Sequence, residues 1–359
     1  MSVVASLRSL MVNLLLAAVS ILITVLLAEI GVRLYHGKLF SAETTRASDF
    51  QVTGGPRAVY DANLGWVPKQ GIRVAEFTST IGPHGIRLHG DPANLGPAPD
   101  ILAVGDSFTF GDEVDDHETW PAHLQRITGM SVLNGGVFGY GVDQTVLRAE
   151  SLLANYRPRI LIVSMIADDL KRSELAYRYG WKPYFDIVDG ALELRNVPVP
   201  ERASPVRYPA LRDALGYSYL ANGLLRRLTP NWWHNQGIEK RAHDQGTEVA
   251  ELLMARLAKL VDGRNIRVIV LGQADRSLDV DSLKPVLESA EQNGLAALDL
   301  TTALAERLEN DPSLESAIFL GGFAGHMTSS GNAWVAQNIA RYLDGVDEAL
   351  TASERLTED

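Results

Sequence analysis

The chain has 359 residues, of which 46% are hydrophobic and 21% are charged, a composition that is typical of a globular protein and excludes a disordered chain. The formal net charge is −11 and Lys and Arg form no cluster, so the sequence lacks the features of a nucleic-acid-binding protein. The absence of cysteine excludes disulfides, thiolate catalysis and cysteine-based zinc sites.

The first predicted element is a transmembrane anchor over 9–30. No charged residue occurs from position 9 to position 28, and about 20 apolar residues span the hydrocarbon core of a bilayer. A cleaved signal peptide is the alternative, but its apolar region usually has about 7–15 residues and ends at a small-residue cleavage site. Residues 29–33 instead continue a helical pattern, which favours an uncleaved single-pass anchor.

The charges that flank this helix carry only a weak orientation signal. Arg8 precedes the helix, whereas Arg33, Lys38 and Arg46 follow it. The positive-inside rule therefore leans slightly against export of the part of the chain that follows the anchor.

The next two segments are predicted to be irregular. Residues 31–58 are polar, contain Gly and Pro, and are typical of a linker. Residues 59–98 are also rich in Gly and Pro and show no long period, so we expect a lead-in segment that packs on the main domain.

The main domain is predicted over 99–345, with an acidic tail over 346–359. Short apolar runs alternate with helical patterns, which indicates parallel βαβ units. The predicted strands are 100–104, 131–134, 159–164, 266–271 and 296–299. The predicted helices are about 118–128, 143–156, 246–263, 280–293 and 329–344.

The alternation breaks over 174–235, where prolines and aromatic residues are frequent. We interpret this segment as an insertion over the C-terminal edge of the sheet. It is either a lid or substrate-contacting wall, or a surface excursion with a small core of its own.

Gly105-Asp106-Ser107 directly follows the strand predicted over 100–104. Open α/β folds bind ligands beyond the C-terminal ends of their strands, so Ser107 is predicted at the edge where a ligand binds. A serine hydroxyl needs a base within hydrogen-bond reach to act as a nucleophile. Without a base, Ser107 would be a helix N-cap or a turn residue.

His326 is the candidate base. Among the eight histidines, it alone follows a glycine turn that leads into the predicted C-terminal helix. A neutral imidazole suits general-base catalysis near neutral pH. A surface loop histidine is the alternative.

Glycines and acidic residues follow two other predicted strands. The segment 134–141 fails as a dinucleotide fingerprint because its glycines stand in the wrong order, and we expect no cofactor. Its Gly139 amide is a candidate oxyanion donor, although a plain turn is equally compatible with the pattern. Asp168 and Asp169 follow the strand over 159–164, where they suggest a metal or acid–base pair, or a cap of the next helix.

In their order along the chain, these segments resemble the SGNH (GDSL-type) hydrolase family over roughly 100–343. The resemblance implies that Ser107 is the nucleophile, that the Gly139 amide lines the oxyanion hole and that His326 is the base. Asp168 falls at the position of the family's oxyanion-hole Asn. The implied fold is a three-layer α/β/α sandwich with a parallel, flavodoxin-like sheet.

The segments 60–66, 110–114 and 118–121 further resemble a membrane-anchored branch of this family. That resemblance implies export of the catalytic domain to the periplasmic or extracellular side, against the weak charge signal.

Two positions depart from the family pattern. The family usually has an Asp two or three residues before the histidine, where this chain has Ala324 and Phe323. An ionised Asp168 would repel an oxyanion, so this residue has to be protonated, turned away or used otherwise. A Ser107–His326 pair can still function without the Asp before the histidine, for example when a backbone carbonyl orients the imidazole, and the two departures also leave a non-catalytic protein as the alternative.

The predicted function is a membrane-anchored serine esterase or O-acyl transferase that acts on an acylated small molecule, glycan or lipid through an acyl-enzyme. The alternative is a non-catalytic binding or scaffold protein of an envelope polysaccharide system. A flavodoxin-like phosphate or nucleotide binder is a third, more remote option because the sequence lacks a phosphate loop.

Overall fold

A computed structural model describes the backbone of most of the chain. The described residues are 2–37, 39, 57–71, 77–89, 96–201, 208–233, 239–321 and 325–357. Most of the predicted linker 31–58 lies outside them, as do Phe323 and Ala324.

The described residues contain helices and strands in alternation through the main domain. The strands are β1 (Ala58–Asp61), β2 (Gly65–Pro68), β3 (Ile101–Val104), β4 (Val132–Asn134), β5 (Ile160–Met165), β6 (Leu175–Arg178), β7 (Tyr184–Val188), β8 (Ala191–Arg195), β9 (Glu239–Arg241), β10 (Arg267–Gly272) and β11 (Ala296–Asp299). The helices are α1 (Ser2–Tyr35), α2 (Ser107–Phe110), α3 (Trp120–Thr128), α4 (Val142–Leu153), α5 (Ala167–Ser173), α6 (Pro209–Leu215), α7 (Tyr219–Leu228), α8 (Pro230–Trp233), α9 (Gly246–Val261), α10 (Lys284–Gln292), α11 (Thr301–Asn310), α12 (Glu315–Ile318) and α13 (Ser329–Thr357).

A five-stranded parallel sheet in the order β11-β10-β5-β3-β4 forms the centre of the main domain. In chain order this is the 2-1-3-4-5 arrangement of flavodoxin-like folds. The chain runs outward in opposite directions from β3 and β5, so these two neighbours flank the topological switch point. Ligands bind in the crevice beyond the carboxyl ends of the strands at this point.

The strands of the sheet are mostly apolar and pack against hydrophobic clusters on both faces. In β3, Leu102 and Val104 face one hydrophobic cluster, whereas Ile101 and Ala103 face the other. Helices α4, α9 and α10 cover the first face, and α3, α11 and α13 cover the second. The predicted three-layer α/β/α sandwich is confirmed.

The lead-in residues form a hairpin, β1 with β2, that packs beside the segment following β4. Trp66 is fully buried there, and its Nε1 donates a hydrogen bond of 3.0 Å to the carbonyl oxygen of Phe138. The Tyr140 hydroxyl donates to the Trp66 carbonyl. This hairpin therefore contacts the turn that contains Gly139.

The segment predicted as an insertion contains two-stranded sheets and short helices. β7 pairs with β8, and β6 pairs with β9, both antiparallel. Helices α6, α7 and α8 follow β8 along the chain. At the other end, α13 continues through most of the predicted acidic tail to Thr357.

Helix α1 is longer than the predicted anchor. Its segment Leu7–Tyr35 has a mean hydropathy of 2.7 in its most apolar stretch, none of which is buried in the protein. Among the described residues, this is the one helix that is long and apolar enough to cross a membrane, a property that signal sequences share.

Candidate active site

Ser107 lies at the carboxyl end of β3, as the first residue of α2. The turn before it requires glycine, because a Cβ at Gly105 would lie 2.9 Å from the backbone carbonyl oxygen of Ser164. Asp106 caps α2, since its carboxylate accepts a hydrogen bond of 2.9 Å from the Phe108 N–H. These contacts hold Ser107 at the switch point, where 6% of the surface of this residue is exposed.

His326 contacts Ser107 from the loop that precedes α13, near the C-terminal end of the domain sequence. Its Nε2 lies 3.0 Å from Ser107 Oγ. Two backbone hydrogen bonds hold the loop at the histidine and just after it: the Leu320 N–H donates to the His326 carbonyl at 2.8 Å, and the Thr328 N–H donates to the Ile318 carbonyl at 2.8 Å. The structure therefore brings together the two residues that the sequence singled out.

Glu113 lies on the other side of the imidazole. Its Oε2 is 2.7 Å from His326 Nδ1. A carboxylate only accepts hydrogen bonds, so Nδ1 carries the hydrogen and Nε2 presents a lone pair to the Ser107 hydroxyl. Glu113 therefore selects the imidazole tautomer that accepts a proton from Ser107.

Arg87 holds the loop that carries Glu113 through hydrogen bonds to the backbone of this loop. Glu113 itself has a positive φ of 67°, an uncommon backbone conformation that surrounding contacts must stabilise. The buried Arg87 guanidinium donates hydrogen bonds to the carbonyls of Phe110, Gly111 and Val114, and pairs with Asp116 at 3.0 Å. These bonds fix the loop on both sides of Glu113.

A second arginine, which directly precedes β1, holds the residue before Glu113. Arg57 binds both carboxylate oxygens of Asp112, at 2.6 and 3.1 Å. Its guanidinium also lies 4.4 Å from the centre of the Phe138 ring, within the range of a cation–π contact. This arginine thus contributes to the position of the Glu113 loop.

Gly139 lies in the turn after β4 with φ of 75°, a conformation that favours glycine. A Cβ at this position would lie 2.8 Å from the ring of Tyr179, which the segment after β6 contributes. Among the described residues, no carbonyl accepts a backbone hydrogen bond from Gly139. Its N–H is therefore available to a ligand, as is that of Ser107, the first residue of its helix.

Asp168 lies at the start of α5, with its carboxylate directed at two arginines. It accepts a hydrogen bond of 2.8 Å from Arg172 Nε and lies 3.8 Å from Arg178. Its side chain is 43% exposed, so it is neither desolvated nor close-packed. The negative charge of Asp168 is thus compensated by two guanidinium groups.

Arg172 is the centre of a buried charge cluster beneath Ser107. Its Nη1 donates to Asp106 at 2.8 Å and to Asp169 at 2.6 Å. Burial, with a smaller contribution from the charge of Asp106, raises the pKa of Asp169 well above its usual value despite Arg172. Burial disfavours the charged form of Arg172, but the three carboxylates around it outweigh that effect and raise its pKa.

Replacing Arg172 by Met is expected to lower the free energy of unfolding at pH 7 by about 3–5 kcal/mol, because Asp106 and Asp169 would lose their buried counter-ion. Without Arg172 the pKa of Asp169 rises further, so the folded variant holds a proton that the unfolded chain releases. Stability then falls as pH rises. The deficit relative to the wild type is therefore smaller at pH 5 than at pH 7 in urea unfolding.

Arg256→Met is the matched control for this variant. It removes a partly exposed ion pair with Glu150, at 2.6 Å, whose side chains are 39% and 25% exposed. Such pairs contribute about 0–1 kcal/mol. Equal losses of stability in the two variants would contradict the role assigned to the buried cluster.

Sequence reasoning missed Glu113, Arg172 and Arg87. Glu113 follows Ser107 by six positions, and the acidic pair Asp112-Glu113 just after α2 was the available signal. Arg172 stands one helical turn after Asp168, a spacing at which side chains on a helix meet. Arg172 binds both Asp168 and Asp169, the two carboxylates for which the sequence suggested a metal or acid–base pair. No group of metal-ligating residues occurs in the described part of the chain.

Comparison with known proteins gives matches only among solved structures. No protein-family model and no curated protein matches the chain. A G-D-S-L family protein from Desulfitobacterium hafniense DCB-2 is 14% identical with a TM-score of 0.38, and the match covers 68% of this chain and 99% of that one.

Two further structures are described as esterases of acetylated polysaccharides. A two-domain esterase active on acetylated mannans is 14% identical with a TM-score of 0.37, over 71% of this chain and 50% of that one. A mutant of an acetylxylan esterase from Geobacillus stearothermophilus is 14% identical with a TM-score of 0.36, over 69% and 95%.

Proposed function

We propose that this chain is a membrane-anchored serine esterase or O-acyl transferase of the SGNH type, with Ser107 as nucleophile, His326 as general base and Glu113 as the residue that orients the base. The observation that carries the proposal is the continuous chain of contacts from Ser107 Oγ to His326 Nε2, at 3.0 Å, and from His326 Nδ1 to Glu113, at 2.7 Å. A nucleophile, a base and an orienting acid in this sequence of contacts are the general requirement for activating a serine.

In the first half of the reaction, Ser107 Oγ attacks the carbonyl carbon of the ester while its proton passes to His326 Nε2. The new C–O bond converts the carbonyl oxygen to an oxyanion. When this tetrahedral intermediate collapses, the bond to the leaving alcohol breaks, and the alcohol takes the proton from His326. The acyl group remains on Ser107 as an ester.

The second half repeats these steps with a new hydroxyl. Water, or a sugar hydroxyl in a transferase, gives its proton to His326 Nε2 and attacks the acyl carbon. The collapse of the second intermediate releases an acid or a new ester, and Ser107 recovers its proton from His326. Glu113 stabilises the imidazolium in both halves without itself taking the proton.

The proposed oxyanion hole consists of the N–H groups of Ser107 and Gly139. Backbone donors of this kind stabilise the charge that develops on the carbonyl oxygen. We assign Asp168 to the rim of this hole, where Arg172 and Arg178 hold its carboxylate and offset its charge. This placement supports the second of the options for Asp168, a carboxylate turned away from the oxyanion.

The anchoring part of the proposal rests on helix α1. The contact of Glu29, near its C-terminal end, with the N–H groups of Tyr219 and Leu220, both at 2.9 Å, supports retention of the helix in the mature protein. A leader peptide that is removed would leave these groups without their acceptor. We further propose that the catalytic domain lies on the periplasmic or extracellular side, with an acylated glycan or lipid as substrate.

The experiment that tests this function is covalent labelling of the full chain in detergent micelles with a fluorophosphonate. We expect one phosphonyl group per chain, on the peptide that contains Ser107, as measured by mass spectrometry. Pre-incubation with p-nitrophenyl acetate should slow the labelling, and heat-unfolded protein should not react. A folded sample that remains unlabelled would favour the non-catalytic binding or scaffold protein instead.

A further inference from the structure

We infer that helix α7 lies on the membrane surface with its apolar face in the lipid, so that the bilayer covers a second part of the protein besides α1. This inference rests on the proposed membrane anchoring. It adds an interaction surface that is separate from the Ser107 site.

Helix α7 has an apolar stripe that the described part of the protein does not bury. Leu220, Leu224 and Leu228 recur at every fourth position and therefore lie on one face of the helix. No residue of α7 is buried, and the exposed fraction is 49% for Leu224 and 74% for Leu228. An amphipathic helix of a soluble domain normally buries such a stripe.

Further exposed apolar side chains precede α7 along the chain. Leu211 of α6 is 53% exposed, and Tyr217 between the two helices is 59% exposed. Grouped apolar side chains of this kind mark an interaction surface, in contrast to apolar residues that are exposed singly. Leu and Tyr are suited to the boundary between lipid headgroups and acyl chains.

The position of α7 along α1 identifies the lipid surface as the partner that covers the apolar stripe of α7. The uncharged run of α1 from position 9 to 28 has a length of about 30 Å, the thickness of the hydrocarbon core. Glu29 is the first charged residue after this run and therefore lies at the membrane boundary. Whatever Glu29 binds lies at the same depth.

Glu29 binds the N-terminus of α7. Its carboxylate accepts hydrogen bonds from the N–H groups of Tyr219 and Leu220, both at 2.9 Å, and from the Ser218 hydroxyl at 2.7 Å. An acidic group stabilises a helix at this end. Helix α7 therefore begins at the membrane boundary.

Arg33, one turn further along α1, reinforces the same junction. It pairs with Glu29 at 2.6 Å, donates to the Tyr217 carbonyl at 2.8 Å and lies 4.7 Å from the centre of the Tyr219 ring. The start of α7 is thus fixed to α1 by hydrogen bonds, an ion pair and a ring contact. This junction holds the apolar stripe at interfacial depth.

The absence of cysteine from the sequence allows a direct test with single-cysteine variants. The full-length variants Ser20→Cys, Leu224→Cys, Arg226→Cys and Asn310→Cys are labelled with a nitrobenzoxadiazole fluorophore. They are reconstituted into vesicles of phosphatidylcholine and phosphatidylglycerol in equal amounts. Quenching is measured with lipids that carry a nitroxide either near the headgroup or in the middle of the acyl chain.

We expect the label at position 224 to be quenched by the headgroup-proximal nitroxide and the label at position 20 by the mid-chain nitroxide. Position 226 is the matched control, because it faces the opposite side of α7, about 160° away from position 224 around the helix. Its quenching should be weaker. Asn310, exposed at the end of α11, should not be quenched by either lipid.

Two outcomes would overturn the inference, and only one of them also contradicts the proposed anchoring. Quenching at position 20 with none at position 224 leaves α1 as the anchor and removes α7 from the lipid. A shielded but unquenched label at position 224 would then indicate a protein partner on that face. The absence of quenching at both positions would contradict the anchor and the α7 surface together.

Discussion

Replacing Ser107 by Ala is expected to lower kcat for p-nitrophenyl acetate by about 10⁶-fold, the size of effect found when the nucleophile of a serine hydrolase is removed. The variant retains both backbone donors of the proposed oxyanion hole, because these belong to the main chain of Ser107 and Gly139. It loses only the oxygen that forms the acyl-enzyme. Initial rates of p-nitrophenol release measure the effect.

The side chain of Ser107 contributes little to the fold, so the variant should remain folded. Its hydroxyl contacts His326 at 3.0 Å and Asp106 at 3.3 Å, whereas Asp106 keeps its bonds to Arg172 and Phe108 in the variant. Circular dichroism should therefore match the wild type. Ser151→Ala, at an exposed position of α4, is the control and should keep full activity. Unchanged turnover in Ser107→Ala would refute the assignment of the nucleophile.

The central sheet was predictable because its strands are short apolar runs that are buried on both faces. The predicted strand 100–104 corresponds to Ile101–Val104, and the run predicted over 266–271 corresponds to Arg267–Gly272. Parallel strands that are covered on both sides have this continuous apolar pattern. This continuous apolar pattern depends on burial alone, so it can be recognised in the sequence without knowledge of the rest of the fold.

Short helices were less predictable because they give no periodic signal. Helix α2 has four residues and is defined by the Asp106 cap at one end and by Gly111, with φ of 84°, at the other. Helix α5 has seven residues, of which several are charged. Neither contains the two turns over which an apolar stripe is recognisable.

The β7–β8 hairpin could have been predicted from its turn sequence, but it lies in the segment 174–235, where the alternation of predicted strands and helices breaks. Asp189 and Gly190 connect the two strands, with φ values of 50° and 76°. Two consecutive residues with positive φ are typical of a type I′ turn, and Asp-Gly is a preferred sequence for it. The residues on both sides are apolar and β-branched in part, so the hairpin follows from the sequence once the turn is recognised.

The proposed orienting acid, Glu113, was not predictable from the resemblance to the SGNH family, because it lies on a different loop from the positions that the resemblance indicates. The pattern directs attention to positions 323 and 324, just before His326. Glu113 lies 213 positions away from His326, and only the contact of the two loops at the switch point brings them together. Its backbone conformation depends on Arg87, which the sequence places in an irregular segment with no apparent connection to catalysis.

Replacing Glu113 by Gln is expected to lower kcat by about 10²- to 10⁴-fold, because an amide can donate to Nδ1 as well as accept from it. The imidazole then also adopts the tautomer with hydrogen on Nε2, which cannot accept the Ser107 proton. The mechanism predicts a loss in kcat with little change in KM, since Glu113 lies behind the imidazole. Steady-state kinetics with p-nitrophenyl acetate measure the two constants separately.

A spectroscopic readout distinguishes this positioning role from a general loosening of the loop. The Nδ1–H that bridges His326 and Glu113 should give a downfield proton resonance in the wild type that is absent from Glu113→Gln. Glu113→Asp keeps the charge on a side chain one methylene shorter, so it should retain the resonance in part and give an intermediate kcat. Glu315→Gln, an exposed acidic position paired with Arg276 at 2.9 Å, is the control. A Glu113→Gln variant with wild-type kcat would show that a Ser107–His326 pair suffices without its orienting carboxylate.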